Sequence, residues 1–115
     1  MLVRITRQTL HDRLDRPDAI VLVEALGAAY YADAHLPTAV NIPPGLVDQL
    51  APLLLPDRDI EVIVYGSARD GIAEATAARL EELGYRLVAV YAGGKEDWVE
   101  HGLPVERPSA SVGDE

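Results

Sequence analysis

Between two glycines the chain reads Gly66-Ser67-Ala68-Arg69-Asp70-Gly71, followed by Ile72, so a hydroxyl, a guanidinium and a carboxylate stand within a few positions of one another. Arg69 together with convergent backbone N–H groups could grip a small oxyanion. Asp70 or Ser67 could attack an ester or oxyanion substrate with Arg69 balancing its charge, although a serine hydroxyl needs a base and none stands beside it in the sequence. Alternatively the loop is a surface for a protein partner. The plain reading also accounts for these residues: Ser, Asp and Gly are turn formers, and Arg69 is solvated or paired with Asp70.

The flanking segments give the loop its shape. Val62, Ile63, Val64 and Tyr65 form a short apolar, β-branched run that predicts a buried strand. From Ile72 the period changes: Ile72, Ala73, Ala77, Leu80 and Leu83 recur at helical spacing, and Gly84 should end that helix as a left-handed cap. A loop between a buried strand's carboxyl end and a helix N-terminus gathers unpaired N–H groups, an arrangement that suits anions and thiolates. The 66–71 loop therefore has the form of an active-site loop without the usual nucleophile.

Composition narrows the chemistry. The 115 residues suffice for one domain with one core. The formal net charge of −9 argues against nucleic acid or an anionic membrane surface as partner. Cysteine is absent, which closes disulfides, thiolate metal sites and covalent sulfur chemistry on the protein itself. His11, His35 and His101 are too dispersed to suggest a zinc site, and no cofactor motif is present. No signal-like or long apolar segment is seen, so the cytoplasm is the default compartment. The oligomeric state stays open.

Along the chain, Val3 and Ile5 suggest a short strand, and Thr6 an N-cap for a helix through Leu10 and Leu14 that Pro17 stops. Residues 19–26 read as a central parallel strand interrupted by Glu24, which must be satisfied near the loop mouth or by turn amides. Residues 28–34 suit one or two helical turns, 39–42 a third strand, and 46–55 a helix made irregular by Pro52. Leu87 to Tyr91 is a further strand, Gly93-Gly94 a turn, and 95–101 a last helix. Strands alternating with helices indicate a parallel sheet with helices on both faces. Residues 107–115 should form a disordered tail. Trp98 is expected as a core anchor, His35 as a turn residue whose ring bonds a backbone carbonyl, and His11 and His101 as surface residues. Of Tyr30 and Tyr31, one should face the core and the other solvent.

Three segments in order resemble the rhodanese homology domain. They are Tyr31 to Pro43, which holds His35-Leu36-Pro37; the strand and loop around Tyr65-Gly66; and Tyr91 to Trp98 with Gly93-Gly94, followed by Gly102-Leu103-Pro104. The resemblance covers residues 1–106 and implies a three-layer α/β fold with a central parallel sheet of four or five strands. Active members carry a cysteine directly after the strand, where Gly66 stands here. A second loop cysteine in some relatives would fall near Gly71, and the Cys and Arg of phosphatases with a related loop would fall at Gly66 and Ile72. Other departures are Leu26 for Arg, Glu24 for Asp and Thr38 for Gly. The resemblance thus implies a non-catalytic relative that binds through the 66–71 loop. The alternatives are an enzyme of altered chemistry and a sulfurtransferase-related role in which a partner carries the sulfur.

Overall fold

In a computed structural model, which describes residues 2–107, five parallel strands form one sheet. The elements are β1 (Val3–Ile5), α1 (Arg7–Arg13), β2 (Ile20–Glu24), α2 (Ala28–Asp33), β3 (Val40–Asn41), α3 (Val47–Leu54), β4 (Glu61–Tyr65), α4 (Ile72–Glu82), β5 (Leu87–Tyr91) and α5 (Gly94–Glu100). The strand order is β1-β5-β4-β2-β3, so the strand that leads into the 66–71 loop is the middle one. The register runs Val62 beside Val21 and Val88, and Val64 beside Val23 and Val90.

Side chains of a strand alternate between faces, and the two halves of the core follow that alternation. Val62 and Val64 point to the layer made by α3 and α4, where Ala51, Ala77 and Leu80 are buried. Ile63 and Tyr65 point to the other layer, against Leu10 of α1 and Trp98 of α5. Trp98 is fully buried and donates its indole N–H to Pro104 O at 2.8 Å, so it anchors the core as expected.

Element ends differ by a few residues from those read in the sequence. Thr6 caps α1 by accepting the Thr9 amide at 3.1 Å, but α1 stops at Arg13, and Pro17 opens a short 3-10 turn (Pro17–Ala19) rather than stopping the helix. That turn takes Ala19 out of β2, and β2 itself ends at Glu24, although the Ala25 amide still reaches Tyr65 O at 2.8 Å. Strand β3 is only two residues long, because Thr38 turns the chain before it with a left-handed φ of 69° and Pro43 ends it. Gly84 (φ 99°) closes α4 with Tyr85 N donating to Leu80 O at 3.1 Å, the wrap expected of a left-handed glycine cap. Beyond Arg107, the expected tail lies outside the described residues.

Candidate functional site

The 66–71 loop leaves the centre of the sheet and is held by both neighbouring helices. On one side Gly71, at φ 71°, turns the chain into α4, and Asp70 Oδ1 accepts the Ile72 amide at 3.0 Å. On the other side the start of α5 presses against the loop: the Lys95 amide donates to Gly66 O at 2.8 Å. That approach requires glycine at 94. Its φ is 74°, and a Cβ there would lie 2.7 Å from both Ala68 N and Gly66 O. Behind the loop Gly66 is buried, whereas Ala68, Arg69, Asp70 and Gly71 are exposed.

Glu96 braces the loop from α5. Its Oε2 accepts the Ser67 hydroxyl at 2.8 Å and its Oε1 accepts the Ala68 amide at 3.2 Å, while Ser67 Oγ accepts the Arg69 amide at 3.4 Å. Burial alone would raise the Glu96 carboxyl, but the Ser67 hydroxyl, the backbone amides and the nearby Arg69 charge outweigh it and hold it below the ordinary glutamate value. A carboxyl lowered on folding contributes stability that is present above its unfolded value and lost as pH falls through the folded one. The Ala68 amide resonance, followed by NMR from about pH 7 to about pH 3, should therefore titrate with a midpoint below the ordinary ~4.3. A midpoint at or above that value would show that Glu96 does not brace the loop.

Beneath the loop lies a second constellation. Glu24, at the carboxyl end of β2, is 0% exposed. Its Oε1 accepts the Tyr65 hydroxyl at 2.5 Å and its Oε2 accepts the Lys95 ammonium at 2.9 Å. Lys95 Nζ also donates to Tyr30 O at 2.9 Å and Ala34 O at 2.6 Å, so one ammonium joins β2, the end of α2 and α5. Burial first, and then the adjacent Glu24 carboxylate, push the Tyr65 phenol far above its usual value, so it remains a neutral donor. Its oxygen in turn accepts the Leu36 amide at 3.0 Å.

The structure decides several points that the sequence left open. Glu24 is satisfied by side chains from β4 and α5 rather than by turn amides. Among the described residues Arg69 makes no ion pair within 4.0 Å, and Asp70 bonds the Ile72 amide instead. Ser67 does have a carboxylate neighbour, which comes from α5. Sequence reasoning thus missed Lys95 and Glu96. The signal was their place directly after a Gly-Gly pair, whose second glycine has a left-handed φ and lies against the backbone of the loop. The readings of His35, Tyr30, Tyr31, His11 and His101 agree with the structure. His35 Nδ1 lies 3.0 Å from Tyr31 O and its ring stacks on Tyr31 at 3.9 Å. Tyr30 faces outward while Tyr31 is half-buried and donates to Ala39 O at 2.6 Å. His11 and His101 are exposed.

A groove of about 720 Å³ opens beside the loop. Leu26, Tyr30, Pro44, Ile72 and Val99 form its apolar walls, and Ser67, Asp70, Lys95 and Glu96 supply its polar edge. Among the described residues no group of His, Asp and Glu side chains could hold a metal ion, and no helix is long and apolar enough to cross a membrane.

Comparison with known proteins places this geometry in context. The family model described as "Rhodanese-like domain" matches residues 6–101. A protein of Allochromatium vinosum named sulfurtransferase is 30% identical over 108 residues, spanning 94% of this chain and 98% of that protein. Among solved structures, a thiosulfate sulfurtransferase from Pseudomonas aeruginosa superposes with a TM-score of 0.81 at 27% identity, over 92% of this chain but only 20% of that one. The BH2092 protein from Bacillus halodurans gives 0.83 at 25% identity, over 91% of this chain and 77% of that one.

Proposed function

This chain belongs to the rhodanese-like family, and from that premise we propose that it is a non-catalytic member whose 66–71 loop and adjoining groove serve binding or regulation rather than turnover. The observation that carries this reading is Gly66. It is the first residue after β4, at the position where the resemblance puts the sulfur-bearing cysteine of active members, and it offers only an α-carbon. No other cysteine exists to substitute.

The other side chains of the loop support the same reading. Ser67 donates its hydroxyl to Glu96, and a carboxylate held below its ordinary value is a weak base for activating it. Asp70 turns one oxygen toward its own helix start.

Purified protein incubated with thiosulfate and cyanide should form no thiocyanate above the buffer blank. Turnover that scales with protein and survives repurification would overturn the proposal. Gly66→Cys probes whether the cradle persists. A Cβ at this position would meet Ala25 O at 3.6 Å, Ala73 Cβ at 3.7 Å and Ala73 N at 3.8 Å, all ordinary contacts, so the variant should fold. Its sulfur would enter the first turn of α4, where backbone N–H groups favour a thiolate. The pH dependence of alkylation by iodoacetamide should then give a thiol pKa below the usual ~8.5. An ordinary value would mean that the amides no longer converge on residue 66.

A further inference from the structure

We propose that the groove beside the loop docks an extended segment of a protein partner in which an arginine or lysine is flanked by apolar residues. This rests on the reading of the loop as a binding face and adds the chemistry of what it binds.

Size is the first argument. A volume of about 720 Å³ is far more than a small oxyanion fills and suits several side chains. The walls are the second. Tyr30 is 65% exposed and Val99 51% exposed, and with Leu26 and Ile72 they leave an apolar surface with nothing packed on it from the described chain.

Charge chooses the occupant. Among the described residues Lys95 is the one cation lining the groove, and its ammonium is already bonded to Glu24, Tyr30 O and Ala34 O. The Ser67 hydroxyl and the Ala68 amide, which would otherwise greet an anion, are bonded to Glu96. Asp70, at the groove's edge, makes no ion pair within 4.0 Å among the described residues. Among the described residues its Oδ2 accepts no hydrogen bond, since only Oδ1 reaches the Ile72 amide. The chain as a whole carries −9, so the long-range field also repels anions and draws cations. A guanidinium or ammonium can pair with Asp70 and lie over the exposed Tyr30 ring, with apolar neighbours covering Leu26 and Val99.

The test is an NMR titration of the ¹⁵N-labelled full chain with two capped tetrapeptides, Leu-Arg-Leu-Val and Leu-Glu-Leu-Val. Saturable shifts at Leu26, Tyr30, Ser67 to Ile72 and Val99 are expected with the arginine peptide, and the glutamate peptide should bind at least about tenfold more weakly. Asp70→Asn keeps the Oδ1 acceptor for Ile72 and Tyr30→Ala removes an exposed ring, so both should fold. Each should weaken the arginine peptide by roughly three- to tenfold. The proposal is overturned by an absence of saturable shifts, by an equal response to both peptides, by shifts away from the groove, or by inorganic phosphate moving the same loop amides saturably. Sulfur transfer by the purified protein would remove the non-catalytic reading without touching the titration, so the two failures are separable.

Discussion

Lys95→Met should destabilise the fold by about 3–5 kcal/mol, read as a shift in the urea midpoint at constant slope. The reason is the carboxylate left behind. Glu24 has no exposure to water, and without the Lys95 ammonium at 2.9 Å only the Tyr65 hydroxyl would remain to satisfy it. Taking one partner from a buried ion pair costs more than taking both, because the survivor still carries a charge that water cannot reach. The double variant Glu24→Leu/Lys95→Met should therefore be more stable than Lys95→Met alone. A single-variant loss under about 1 kcal/mol, or a double variant less stable than the single, would show that Glu24 does not depend on Lys95.

Gly94→Ala should be nearly as damaging, at roughly 3 kcal/mol or more, and it should disturb the loop as well as the stability. Two penalties coincide at this residue: a left-handed φ of 74°, and a Cβ driven to 2.7 Å from two backbone atoms of the loop. Relief requires α5 to retreat, which breaks the bond from the Lys95 amide to Gly66 O and pulls Glu96 from Ser67 and Ala68. Gly102→Ala is the control. It shares the left-handed backbone at φ 70° but meets nothing within 4 Å, so about 1 kcal/mol is expected. Equal losses at the two positions would mean that crowding against the loop is not what Gly94 prevents.

The layered parallel fold was legible because its signals are local. The run Val62 to Tyr65, the period from Ile72 and the stop at Gly84 each depend on neighbouring residues, and the structure has them as β4, α4 and a left-handed cap. Gly66, Arg69 and Asp70 were legible as a loop for the same reason. The bonding of that loop was not. Lys95 and Glu96 are about thirty positions in sequence from their loop partners Gly66 and Ser67 and reach them only because β5 lies beside β4 in the sheet. Glu24 was visible as a buried carboxylate in need of a partner, but the partner comes from a helix 71 positions away. The short β3 illustrates a smaller failure: Ala39 and Ile42 are apolar enough for a strand, yet Thr38 and Pro43 shorten it from both ends.

The strand order also bears on how the molecule assembles. Among the described residues, 3–5 pair only with 89–91, so β1, which comes before the other four strands in chain order, has no partner until β5, the last of them, has been made. The middle of the sheet can form earlier, since residues 20–24 pair with residues 61–65. Such distant pairing carries a high loop-closure cost and slows folding relative to a helical bundle of similar size. The strand that precedes the rest of the sheet in sequence is thereby the last to find its place, and until then the flank of β5 stays uncovered.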